Sequence, residues 1–127
     1  MVHKMRLVDF AFKAIKNKEK DIELRLNDEK RRLINIGDII EFEHVDTKEI
    51  VRVEVINLHK YDTFDELFSK FDHKRFGLSD TDDASIMNNF YSKEEQDKYG
   101  ALGIEIKVID WGRYETISTF RCIWFNY

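Results

Sequence analysis

A chain of 127 residues with 43% apolar content, no proline and a formal net charge of −4 fits one domain with a single core. The acidic balance argues against a protein that coats nucleic acid nonspecifically, because that mode needs a broad cationic surface to displace counterions. The lone Cys122 excludes an internal disulfide, no run approaches the roughly 20 apolar residues of a membrane span, and the opening MVHKMRLVDF lacks a signal-peptide core, so a cytoplasmic protein without a membrane partner is expected.

In chain order, His3 to Val8 reads as a strand, and Asp9 as the cap of a short helix with Phe10, Ala14 and Ile15 on one face. Ile22, Leu24 and Leu26 then alternate with Asp21, Glu23 and Arg25, which predicts a strand with three aliphatic groups in the core and a charged ledge on the opposite face. Lys30, Arg31 and Arg32 make a basic turn, and Gly37-Asp38 leads into a strand at 39–44. A strand at 49–58 pairs with it through Val45 to Lys48 as a hairpin, so the first half reads as a β meander. Thr63 to Glu66 has the form of a capping box, and Phe64, Leu67, Phe68 and Phe71 fall at helical spacing behind it. The acidic GLSDTDDAS is an exposed loop before a short helical piece at Ile86 to Tyr91. A second capping box at Ser92 to Glu95 opens a polar helix that stops at Gly100, and Ile104, Ile106 and Val108 form a further strand.

The tail has a different texture: Trp111, Tyr114, Phe120, Trp124, Phe125 and Tyr127 are aromatic, and 114–125 favours one or two added strands. Such an apolar edge either closes the sheet or is buried against a second copy as a homodimer. Together the elements predict an α+β fold, a small β-barrel with short helices at its rim.

Charge is unevenly spread. Between Lys13 and Arg32 stand eight basic and five acidic residues, against 13 and 20 elsewhere. This cationic segment suits a small anionic or nucleotide ligand better than a long duplex. Within it Arg25 offers a planar fork for phosphate or a base edge, Lys20 a mobile charge, and Glu23 an acceptor for an exocyclic amine. The plainer alternative is an Arg25–Glu23 surface ion pair worth about 0–1 kcal/mol. Arg31 and its neighbours would track a phosphate, and Tyr91, with Tyr61 and Tyr99, either stacks a base or packs with its hydroxyl outward. Amide hydrolysis would need a nucleophile or activated water, a base and an oxyanion stabiliser; Lys20 and Glu23 supply two of the three. His3, His44, His59 and His73 lack metal-ligand spacing, with His44 and His59 placed at strand ends, so neither a metal nor a cofactor is expected.

The segment IKNKEKDIELRLNDEKRRLINIGDIIEF resembles the ASCH family, a branch of the PUA-like barrels. Lys20, Glu23 and Arg25 match its charged spacing, Gly37-Asp38 its turn, and Tyr91 to Ile106 its closing segment, and the likeness covers about residues 5 to 109. It implies a barrel with a cleft between wall and helices, lined by those charged residues. It also implies RNA binding or, in some members, removal of the acetyl group from N4-acetylcytidine or cutting of RNA. Lys18 stands where the family often has glycine, Asp21 where it has threonine or serine, and Glu23 where the amidohydrolase branch has a catalytic threonine.

The reading is therefore an ASCH domain at 1–109 with an aromatic extension at 110–127 on the same domain. Its expected ligand is RNA or a nucleotide, held by Lys20, Glu23, Arg25, Arg31 and Tyr91. The alternatives are a small hydrolase of a modified nucleoside with Lys20 and Glu23 as catalytic residues, a ribonuclease, or a scaffold that dimerises through its tail.

Overall fold

Period-two alternation builds five strands in the computed structural model, which describes residues 1–112. The elements are β1 (Val2–Leu7), α1 (Asp9–Lys16), β2 (Ile22–Leu26), β3 (Ile39–His44), β4 (Ile50–Tyr61), α2 (Phe64–Ser69), α3 (Lys93–Tyr99) and β5 (Ala101–Gly112). Three 3-10 segments, Arg31–Leu33, His73–Phe76 and Ala84–Asn89, lie between them. The result is α+β, with one mixed sheet in the order β1-β3-β4-β5-β2. β1 runs parallel to β3, and every other pairing is antiparallel.

This order corrects two expectations. The meander is limited to the β3–β4 hairpin, because β2 leaves its sequence neighbours and pairs with β5, some eighty residues on. Its place between β1 and β3 in the chain follows from their parallel pairing, which requires a crossover of a dozen or more residues. The barrel is also not closed: β1 and β2 are the two ends of the sheet order and do not pair among the described residues.

Two apolar clusters fill the molecule. The first joins Met5 and Leu7 of β1, Phe12 and Ile15 of α1, and the inward residues of β3, β4 and β5. The second gathers Ile22, Leu24 and Leu26 of β2 with Phe64, Leu67 and Phe68 of α2, Phe76 and Met87. The aliphatic face of β2 is thus buried as predicted, but against the helices. Glu23 and Arg25 register with Ile104 and Leu102, which belong to the first cluster, so the charged face of β2 looks toward the main core.

Local details follow from specific side chains. Asp9 does not cap α1; its carboxylate meets His44 Nε2 at 2.8 Å and Lys13 Nζ at 3.2 Å instead. The buried residues of α1 are Phe12, Ala14 and Ile15, while Phe10, expected in the core, is 62% exposed. His44 Nδ1 accepts from the amides of Asp46 and Thr47 at 3.0 and 3.1 Å, which fixes the β3–β4 turn. Thr63 caps α2 by accepting from the Glu66 amide, and Ser92 with Glu95 completes a capping box on α3. The acidic loop is tethered through His73, whose ring nitrogens lie 2.9 Å from the Asp82 carbonyl and 3.1 Å from that of Phe68. Trp111 lies in β5, whereas the strands expected at 114–125, their dimer contact and Cys122 fall outside the described residues. No helix among the described residues is long and apolar enough to cross a membrane.

Candidate functional site

The chain reaches the site through the loop after α1. Lys18 adopts a left-handed φ of 64°, which explains why glycine is at home in that position. The amides of Glu19 and Lys20 both bond to the Ala14 carbonyl, at 2.9 and 3.0 Å, and this turns Lys20 inward. Gly77 leaves room for its stem, since a Cβ there would sit 3.1 Å from Lys20 Cδ.

β2 then presents Glu23 and Arg25 at the open edge. The bonds from Ile106 N to Asp21 O and from Asn27 N to Gly100 O assign the odd-numbered residues to the β5 ladder, so the Leu24 amide faces the free edge. Glu23 Oε1 accepts from it at 3.2 Å. The same oxygen lies 2.8 Å from Lys20 Nζ, and Oε2 receives Arg25 Nε at 2.9 Å and Nη2 at 2.8 Å. Arg25 Nη2 also donates to the Arg6 carbonyl of β1 at 3.0 Å, across the gap between the two edge strands. The predicted exposed ledge is therefore a buried ion group, with Glu23 4% and Lys20 7% exposed. Asp21 does not share that face: it forms a two-pronged pair with Arg75 at 3.0 and 3.1 Å.

Burial pushes the Glu23 carboxyl up, but the charges and hydrogen bonds of Lys20 and Arg25 outweigh it and hold the pKa at about 2. Burial likewise pulls Arg25 down, and Glu23 more than compensates, so its guanidinium is raised. The Tyr91 phenol is raised, chiefly by burial. A carboxylate has about four acceptor positions, and all four on Glu23 are taken. Two ammonium protons of Lys20 and the Nη1 group of Arg25 have no partner among the described residues.

A cavity of about 340 Å³ opens onto this group. Lys20, Glu23 and Arg25 form its floor, and Phe76, Leu78, Ile86 and Met87 its apolar wall. Tyr91 joins the lining, with its ring parallel to that of Phe64 at 6.3 Å. The structure thus brings together four of the five predicted site residues. Arg31 is not in the lining: it pairs with Asp28 at 3.2 Å beside the 3-10 segment. Three further lining residues, Arg6, Phe10 and Phe90, escaped the sequence reading. Arg6 was legible only as the outward position of the first strand, and Phe90 as the neighbour of Tyr91. A larger hollow of about 500 Å³ between α2 and α3 is lined by Thr63, Asp65, Asn88 and Gln96; it shares Tyr91 with the cavity but none of Lys20, Glu23 and Arg25. Among the described residues no group of three or more His, Cys, Asp or Glu is arranged to hold a metal ion.

A family model described as the ASCH domain matches residues 5–110. No curated protein matches the chain. Among solved structures, the hypothetical protein PH0355 is 34% identical, with 86% of this chain and 100% of that one covered and a TM-score of 0.76. Protein PF0455 from Pyrococcus furiosus is 32% identical over 87% and 99% of the two chains, with a TM-score of 0.68. An ASCH protein from Zymomonas mobilis, 15% identical over 95% and 79%, shares the fold at a TM-score of 0.57.

Proposed function

The chain belongs to the ASCH domain family, and from that premise we propose that it binds RNA by seating a single nucleotide in the cavity above Lys20, Glu23 and Arg25. The observation that carries this reading is the ion group itself, a buried lysine and a partly buried arginine around one saturated carboxylate at the floor of a cavity of about 340 Å³. Small-molecule sites span about 300–1,000 Å³, so the volume suits one nucleotide better than a length of strand. The lining carries three cations, Arg6, Lys20 and Arg25, against the single carboxylate of Glu23, in a chain whose net charge is −4. Its unused floor groups are donors, and they complement carbonyl and phosphate oxygens. In this reading Glu23 organises the two cations and leaves contact with the ligand to them. Tyr91 supports the wall, and Arg31 meets a flanking phosphate of a longer RNA.

Titration of labelled single-stranded RNA at two salt concentrations tests the proposal. Binding at low salt that weakens as salt rises is expected, with a loss of about tenfold or more in Arg25→Lys, which keeps the charge and removes the fork. Thermal melts confirm that the variant is folded. Absence of binding at low salt, or full binding by a folded Arg25→Lys, overturns the reading.

One observation favours a second reading, a hydrolase of a modified nucleoside: Lys20 lines the cavity, with its amine on Glu23. It ranks second because a proton acceptor works best with a pKa near the working pH, and Glu23 is held at about 2. Incubation with N4-acetylcytidine and with RNA, followed by chromatography for cytidine or cleavage products, tests it. A rate unchanged in Lys20→Met removes Lys20 from any such chemistry.

A further inference from the structure

We propose that Arg6 takes the phosphate of the bound nucleotide while Phe10 and Phe90 hold its base, so that the site selects a phosphate-bearing nucleotide over the bare nucleoside. This rests on the RNA-binding reading above and assigns residues that the reading leaves idle.

Of the three cations that line the cavity, Lys20 and Arg25 are bonded to Glu23. The Arg6 side chain has no ion-pair or hydrogen-bond partner among the described residues, and the residue is exposed. Its neighbours Met5 and Leu7 are buried in the main core, so the alternation of β1 sends the Arg6 side chain to the opposite face. Its carbonyl receives Arg25 Nη2 at 3.0 Å, which pins the backbone of Arg6 to the ion group. The cation is thus free in its side chain and fixed at its root. Among the lining residues the charges leave two positive in excess. A phosphodiester of RNA carries a single negative charge and a terminal monoester about −1.5 to −2 at neutral pH, and the guanidinium fork matches the oxygens of either.

The aromatic pair points to the other half of the ligand. Phe10 is the second residue of α1 and Phe90 follows the Ala84–Asn89 segment, so two separate elements bring them to one cavity. They are 62% and 64% exposed, and neither ring packs on another aromatic ring among the described residues. A single exposed phenylalanine needs no explanation. Two of them on one cavity, beside an unpaired arginine, have the composition that holds a base by its faces and its phosphate by charge.

Calorimetric titration of the full chain with the four ribonucleosides and their 5′-monophosphates tests the assignment. The wild type is expected to bind at least one monophosphate about tenfold tighter than its nucleoside. Arg6→Ala should reduce that ratio to about twofold or less while leaving nucleoside affinity unchanged. The double variant Phe10→Ala/Phe90→Ala should weaken nucleoside and monophosphate alike by about tenfold or more. All three residues are exposed, so the core is untouched by these changes. Equal binding of nucleoside and monophosphate, discrimination retained in Arg6→Ala, or RNA binding without any mononucleotide binding overturns the inference and leaves the RNA reading standing. If neither mononucleotides nor single-stranded RNA bind, both fall.

Discussion

Glu23→Gln removes the charge from the buried carboxylate between β2 and β1 while keeping its shape. In the wild type its pKa lies at about 2 instead of the ordinary 4.5, because Lys20 and Arg25 outweigh the cost of burial. Each pH unit of separation corresponds to about 1.4 kcal/mol, so the ionised group contributes roughly 3 kcal/mol to folding. The folded value is the depressed one. The contribution is therefore complete above about pH 5, once the unfolded chain is also ionised, and is lost as the pH falls toward 2. The glutamine variant has no such titration, and it leaves the buried Lys20 and the partly buried Arg25 without their counter-charge. At pH 7 it should be less stable by roughly 3 kcal/mol or more, and by pH 3 the gap to the wild type should have closed by about 2 kcal/mol. Urea denaturation followed by far-ultraviolet circular dichroism at pH 7, 5, 4 and 3 measures that gap. Asp9, Asp38 and Asp83, whose carboxyls are also lowered, titrate in both proteins and cancel in the difference. A gap constant to within about 0.5 kcal/mol from pH 7 to pH 3 would refute the reasoning.

Asp38 is held at about 2 by His3, the Asn35 amide and the amino terminus, so Asp38→Asn should lower the melting temperature at pH 7, and the difference should shrink below about pH 4 as the wild-type carboxylate protonates; equal melting at pH 7 counts against this tie. Gly100→Ala forces a side chain onto a φ of 75° with its Cβ 2.9 Å from the Tyr61 carbonyl oxygen, a backbone atom with no freedom to swing away. A loss of about 2 kcal/mol or more in urea denaturation is expected, and a loss below about 0.5 kcal/mol contradicts it. Gly77→Ala combines a φ of 77° with a Cβ 3.1 Å from Lys20 Cδ; it should cost about 1–2 kcal/mol and weaken RNA binding severalfold, as read by the same titration, whereas unchanged affinity separates Gly77 from the site.

Features governed by short-range chemistry were legible in the sequence. The Ser92–Glu95 box, the Gly100 stop, the Val45–Lys48 hairpin and the two-residue rhythm of β2 each depend on residues within a few positions of one another. What the chain pairs with at long range was not. The partner of β2 is β5, and nothing local in IELRL distinguishes that choice from pairing with β3. The same gap explains the ledge: alternation says that Glu23 and Leu24 point to opposite faces, but both faces of β2 are covered, so the expected solvent side became an interior one. Phe10 was misplaced by two helical positions. Phe12 takes the core site, and Phe10 is left at the cavity mouth. Lys18, which stands where the family often has glycine, adopts a φ of 64°, a left-handed conformation that glycine favours.

The open edge explains why one group of residues serves both folding and the candidate site. Closing the barrel would put β1 beside β2 at about 4.8 Å and satisfy their free backbone groups through a ladder. Here side chains do part of that work: Glu23 meets the Leu24 amide, and Arg25 meets the Arg6 carbonyl. Side chains reach farther than a backbone ladder, so the strands stand apart and the cavity occupies the interval. On the proposed reading, substitutions at Lys20, Glu23 or Arg25 should lower stability and binding together, since the same contacts hold the edge and form the floor. Substitutions at Arg6, Phe10 or Phe90, which are exposed, should on the same reading change binding alone. Because the acceptor positions of Glu23 are already filled, the proposed reading assigns choice among ligands to that mouth, the part of the site that is free to change without loosening the fold.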